Sequence, residues 1–214
     1  MIAKLTIGLT VVLTLASAVS AQTVLYDNFP NDTYQPRSGK LFGQTPIESE
    51  SGPALTLLPT LGAGVDYYLN SITAPILHRN SSVVNEVTMS VYDTIDGVPG
   101  NLLETSTVVD LPPWHPTELT DPTTFTFSGS TVLEEGRTYW FIGSCPTGAG
   151  VDMVWSYNDS GYDGKYAERT SFSSNWYVTE TTELAFRVVA TPLPEPSSLM
   201  LLGLGGFALL RRRR

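Results

Sequence analysis

The sequence predicts an all-β chain, an antiparallel β-sandwich of jelly-roll type. Two observations carry that expectation. Between the two ends of the chain, apolar residues alternate or run in short segments rich in Val, Thr, Tyr, Phe and Trp, and clusters of Gly, Pro, Asn and Asp separate those segments. Helical periodicity is almost absent from the same stretch. Taken in order, Thr23 to Tyr26 forms a first strand that breaks at Asp27-Asn28. Val87, Met89 and Val91 alternate with Thr88, Ser90 and Tyr92. A double turn over Asp96 to Asn101 sends the chain back through Leu102 to Val109. Phe125 and Phe127 alternate with threonine between Thr123 and Ser128, and Glu134-Glu135-Gly136 turns into the strongly apolar Arg137 to Gly143. Met153 to Tyr157 and Leu184 to Val189 complete the set. Many short strands at hairpin spacing bury one face each most simply by stacking as two sheets.

The ends of the chain read as targeting segments. Lys4 supplies a short positive region, Leu5 to Leu15 is apolar apart from Thr and Gly, and small residues follow at Ala16-Ser17-Ala18 and Val19-Ser20-Ala21. A signal peptidase needs small side chains beside the cut, so residues 1–21 are expected to be a signal peptide, leaving Gln22 as the mature N-terminus. The alternative, an N-terminal membrane anchor, requires a longer apolar run with a basic flank.

After Ala190 comes Thr191-Pro192-Leu193-Pro194-Glu195-Pro196, then Ser197-Ser198, an apolar run from Leu199 to Leu210, and the terminal Arg211, Arg212, Arg213 and Arg214. Prolines lack amide donors and favour extended backbone, so residues 191–198 are expected to be a stiff, exposed spacer. The Leu/Gly/Ala run partitions into hydrocarbon, and the arginines beyond it prefer the cytoplasmic side. The run is shorter than the ~20 residues of a comfortable span, a mismatch that snorkelling arginines reduce. Pro194-Glu195-Pro196, the apolar helix and the Arg cluster together resemble the PEP-CTERM sorting signal of Gram-negative bacteria. That resemblance implies recognition and removal of the tail by an exosortase, with transient anchoring in the inner membrane. Proteins with this signal are associated with bacteria that secrete extracellular polysaccharide. No LPxTG motif stands between Pro192 and Ser198.

The organisation expected is therefore a signal peptide over 1–21, an extracellular domain over 22–190 and a sorting tail over 191–214. Setting aside Lys4 and the terminal arginines leaves 7 of the 12 basic residues, and setting aside Glu195 leaves 20 of the 21 acidic ones, so the body carries a net charge of −13. A nucleic-acid or anionic-lipid partner requires a basic footprint, and this body has the opposite sign. Cys145 is the one cysteine, which rules out an intramolecular disulfide. Neither His78 nor His115 stands in a motif that would activate it, so it reads as a small core or strand-end residue.

Val91-Tyr92-Asp93, Gly97-Val98-Pro99-Gly100, Thr124-Phe125-Thr126-Phe127 and Leu133 to Trp140 are also similar to the choice-of-anchor extracellular domains, over roughly Tyr26 to Val189. These domains occur with several C-terminal surface signals, PEP-CTERM among them. The family has no established catalytic residues, and the resemblance implies a surface module.

Candidate sites are few. Ser156 to Gly164 concentrates oxygen donors and glycines, as a Ca²⁺ loop does, with Asn158, Asp159 and Asp163 as the candidate ligands. It lacks EF-hand spacing, and a polar hairpin explains the same composition. Asp93, Asp96 and Gly97 repeat the idea more weakly. Trp114 and Trp176 stand in loop-like contexts, where flat aromatic faces can stack on sugar rings, whereas Trp140 and Trp155 lie within apolar strands and belong to the core. Glu134-Glu135 and the pair Glu180 and Glu183 are carboxylates without the convergence that glycoside hydrolysis needs. No HExxH, GxSxG or phosphate-cradling loop is present.

The expectation is a non-enzymatic surface or extracellular-matrix protein, exported with the help of signal peptidase and sorted by an exosortase. A carbohydrate-binding module for exopolysaccharide, with or without Ca²⁺, is the alternative, and a secreted hydrolase the third reading.

Overall fold

The computed structural model describes residues 21–42, 49–57, 64–79, 85–145, 153–170, 173 and 175–193. The segment expected to be a signal peptide, up to Ser20, and the expected tail from Pro194 lie outside these residues. The strands are β1 (Thr23–Asp27), β2 (Tyr34–Phe42), β3 (Ser49–Thr56), β4 (Tyr67–Ala74), β5 (Ile76–His78), β6 (Glu86–Ile95) and β7 (Val98–Val109). There follow β8 (Thr123–Thr126), β9 (Val132–Leu133), β10 (Thr138–Ser144), β11 (Met153–Asn158), β12 (Asp163–Thr170), β13 (Tyr177–Thr182) and β14 (Arg187–Pro192). A single 3₁₀ turn, Pro30–Asp32, is the one helical element among the described residues.

The predicted fold class is the one observed. One sheet has the order β1-β14-β4-β8, with β9 continuing the β8 edge of β4; a second has the order β13-β12-β3-β10-β6-β7. All their ladders are antiparallel. Their inner faces meet in one core, where Leu69, Ile72, Phe125, Phe186 and Val188 of the first sheet and its approach pack against Val87, Met89, Val91 and Phe141 of the second. A small third sheet, β2-β11-β5, closes one end, and Met153, Trp155 and Ile76 carry the core into it. The chain reaches that sheet by bending at Pro75, where β4 ends and β5 begins. A proline at this corner sacrifices no ladder donor.

Hairpin spacing is the feature that needs correction. Among the described strands, only β6–β7 and β12–β13 are consecutive strands that pair. The other neighbours are joined by connections that leave one sheet and return to it, as in Greek-key and jelly-roll sandwiches. The double turn expected over Asp96 to Asn101 is a two-residue turn. Asp96 and Gly97 both take positive φ, 52° and 82°, as a type I′ hairpin requires, and β7 resumes at Val98. The last strand is also displaced. Leu184, Ala185 and Phe186 are buried before the ladder of β14 begins at Arg187, and that ladder runs on to Pro192. Thr191 and Pro192 are thus part of the sheet rather than of a spacer.

Candidate functional site

The two tryptophans proposed from sequence occupy different regions. Trp114 is half-buried against Phe29, Tyr34, Leu77 and Ala185; its indole N–H donates to the carbonyl of Pro36 at 2.8 Å. Arg79 stands 5.3 Å from its ring centroid. Trp176 lies on the outer face of the second sheet, where alternate residues point away from the core. It caps a small cluster of Trp140, Ile142 and Ala167, and meets Tyr92 edge-on at 6.0 Å. The Arg169 guanidinium lies 4.3 Å from its centroid and is bonded in turn to Glu50 at 2.5 and 3.0 Å. An indole beside an Arg–carboxylate pair offers an apolar face next to the guanidinium N–H groups that Glu50 leaves free. Beneath it, the indole nitrogen of Trp140 is buried without a hydrogen-bond partner. Trp140 and Trp155 are core residues, as their strand contexts indicated.

The oxygen-rich stretch from Ser156 to Gly164 is shorter and more committed than its composition suggests. Ser156 and Asn158 belong to β11, and β11 does not pair with β12. The segment therefore carries the chain from the third sheet to the second rather than closing a hairpin. Asn158 is fully buried and spends its amide on the turn: Nδ2 donates to the carbonyls of Tyr162 and Glu183 at 2.9 and 2.7 Å, and Oδ1 accepts from the Tyr162 N–H at 3.0 Å. Asp159 and Asp163 are exposed. Among the described residues, no group of three or more His, Cys, Asp or Glu side chains is placed to hold a metal ion.

Below the same turn lies a polar centre that the sequence did not single out. Glu183 is 6% exposed; its carboxylate accepts from the Tyr26 hydroxyl and from Asn28 Nδ2, the latter at 2.9 Å. Asn28 completes the knot by donating to the Leu184 carbonyl and accepting from the Phe186 N–H. Burial pushes the Glu183 carboxyl above its usual pKa, against the opposing pull of the bonds from Tyr26 and Asn28. Glu180 is exposed and pairs with Lys165, so the two carboxylates noted together in the sequence do not share an environment. The faint signal was one acid set directly against the apolar run Leu184 to Phe186. Glu134 and Glu135 also diverge, the first to Arg137 and the second to the Gly64 N–H.

The C-terminal side of the first sheet ends abruptly. Pro192 stands opposite Tyr67 in the β14–β4 ladder, and the Leu193 N–H donates to the Asp66 carbonyl at 2.8 Å. Pro194 is the next residue in the chain. Residues 192–214 match the PEP-CTERM protein-sorting motif. No curated protein matches the chain. The PEP-CTERM motif supports export through a C-terminal sorting signal, and implies transient anchoring in the membrane and processing by an exosortase. The match overlaps β14 by Pro192, so the motif follows the sheet with almost no intervening chain. No helix among the described residues is long and apolar enough to cross a membrane; the run from Leu199 to Leu210 and the arginines at 211–214 lie outside them.

Proposed function

We propose that this chain is a non-enzymatic surface or matrix protein of a Gram-negative bacterium. Signal peptidase removes residues 1–21, an exosortase acts at Pro194-Glu195-Pro196, and the acidic sandwich serves as an adhesive or structural module in the extracellular polymer layer. The carrying observation is the PEP-CTERM motif set directly against the end of β14. The intact mass of the protein recovered from the outer surface of its host tests the reading, beside a variant with Pro194, Glu195 and Pro196 replaced by alanine. A native mass lacking the Arg tail, with the variant retaining it in the inner membrane, is the expected result. A native mass that still includes Arg214 refutes sorting.

A second reading is favoured by Trp176 beside the Arg169–Glu50 pair: saccharide binding on the outer face of the second sheet. Trp114 is the other candidate. Calcium assistance would fall to Asp159 and Asp163, the two exposed carboxylates near the turn, because Asn158 is engaged within it. Titration with host exopolysaccharide, monitored by tryptophan fluorescence with and without Ca²⁺, tests this reading. Unchanged affinity in both Trp176→Ala and Trp114→Ala eliminates these sites.

A further inference from the structure

The pairing of Thr23 with Ala190 fixes more than the order of strands in the first sheet. β1 leads away from the signal-peptide junction and β14 leads toward the sorting tail, so their antiparallel ladder brings both junctions to one end of the sandwich. Neighbouring strands stand about 4.8 Å apart, which places Gln22 and Thr191 nearly side by side. Both sheets contribute to the same end. Leu133 pairs with Tyr67, the Arg137 carbonyl accepts from the Leu57 N–H, and the Thr94 hydroxyl donates to the Thr138 carbonyl at 2.6 Å. The Asp96–Gly97 hairpin tip lies just beyond Thr94.

The opposite end is equally well defined. Asp27 and Arg187 are the distal pair of the β1–β14 ladder. The chain from Pro112 to Thr120 is strapped down there, by His78 to Pro112 and Trp114 and by Tyr34 to Thr120. Leu119 stands 52% exposed on that strap.

We infer that the protein has a fixed polarity while the tail holds it at the membrane: the end bearing Asp66, Ile95 and Leu193 faces the bilayer, and the end bearing Trp114 and Leu119 faces away. The inference rests on reading the segment beyond Ser198 as held in the membrane. Leu193 is bonded to Asp66, and only five residues, Pro194 to Ser198, separate it from the apolar run. Five residues reach at most roughly 17 Å when fully extended. A ten-residue strand such as β6 is itself about 33 Å long, so the tether is too short to carry the domain end over end. The loop carrying Trp114 is thereby presented to the medium and the hairpin tip at Ile95 to the lipid headgroups.

The test uses the full chain in phosphatidylethanolamine/phosphatidylglycerol vesicles that contain an acceptor-labelled lipid. A donor dye is placed on Ile95→Cys or Leu119→Cys, each in a Cys145→Ser background; both positions are exposed. Energy transfer from position 95 should exceed that from position 119 by roughly twofold or more, given a strand length between them. A flexible Gly/Ser spacer of about 12 residues inserted after Leu193 should bring the two values together, because it frees the domain to tumble. Vesicle-bound protein with equal transfer from both positions, or more from position 119, overturns the polarity and leaves the membrane tail standing. Protein that stays off the vesicles overturns the tail reading, and the polarity with it.

Discussion

The hydroxyl of Tyr26 donates to the carboxylate of Glu183, a residue 157 positions further along the chain. Through this bond and its companions from Asn28, the start of the domain is tied to the approach to its last strand. The Glu183 carboxyl has a raised pKa in the folded protein, so the native state holds its proton more tightly than the unfolded chain does. Its contribution to stability is therefore full below the ordinary pKa of 4.5 and is lost as the pH rises through the folded value. Glu183→Gln should flatten this part of the pH–stability curve in urea titrations. Glu183→Ala, which leaves the Tyr26 hydroxyl and the Asn28 amide unpaired, should cost about 2–3 kcal/mol. An unchanged pH profile in the Gln variant refutes the assignment.

Glu104 on β7 behaves in the opposite sense. Burial opposes its charge, but the bonds from Thr131 Oγ1 and the Ser128 N–H, each 2.6 Å, prevail and hold its pKa below the usual carboxylate range. Stability from this group is present above the unfolded pKa and disappears as the pH falls through the folded one. Glu104→Gln should cost about 1 kcal/mol at pH 7, where water screens much of the interaction, and the difference from the parent should vanish in acid. Guanidinium or urea midpoints at pH 7 and pH 3 measure both quantities.

Two glycines should respond to alanine for different reasons. At Gly97 the φ of 82° is unfavourable to any L side chain but nothing obstructs a Cβ, so Gly97→Ala should cost about 1–2 kcal/mol. At Gly52 an added Cβ would lie 1.7 Å from the Phe141 carbonyl oxygen, so the β3 and β10 backbones would have to part. Gly52→Ala should cost about 3 kcal/mol, the upper range for overpacking, and should reduce soluble yield. Thermal melts of the two variants should rank them in this order.

Trp176 covers Trp140 and Tyr92 on the outer sheet face. Trp176→Ala should therefore lower stability by about 1–2 kcal/mol and shift the remaining tryptophan emission to the red as Trp140 meets water. Trp176→Phe keeps the cover and should recover most of the loss. Equal stability of all three proteins would mean that the indole does not cap the cluster.

The local chemistry of the chain made the fold class legible, since strands that bury one face alternate and their turns need particular residues. Val87 to Tyr92, Thr123 to Phe127 and the Asp96–Gly97 turn are examples where the signal lies within a few residues. β3 was not legible. It contains Gly52 and Pro53, which argue against a central strand, yet it lies between β12 and β10. The sheet accommodates them because the β3–β10 ladder passes from Ala54 opposite Trp140 to Ser51 opposite Gly143 without pairing the two residues between. β12 and β13 were equally hidden, because one carries charge on its exposed positions and the other is half threonine with a glutamate among them.

The sorting motif was readable for the same reason as the turns. Targeting machinery acts on short linear segments, so their whole content is local. Local pattern was enough for the class of fold, the acidic body and the motif at the C-terminal end. The position of β14 between β1 and β4, the turn closed by Asn158, the burial of Glu183 and the separation of Trp114 from Trp176 came from the folded chain alone. Each of these depends on contacts between residues far apart in the chain. Their energies come from register and burial, which local pattern does not encode.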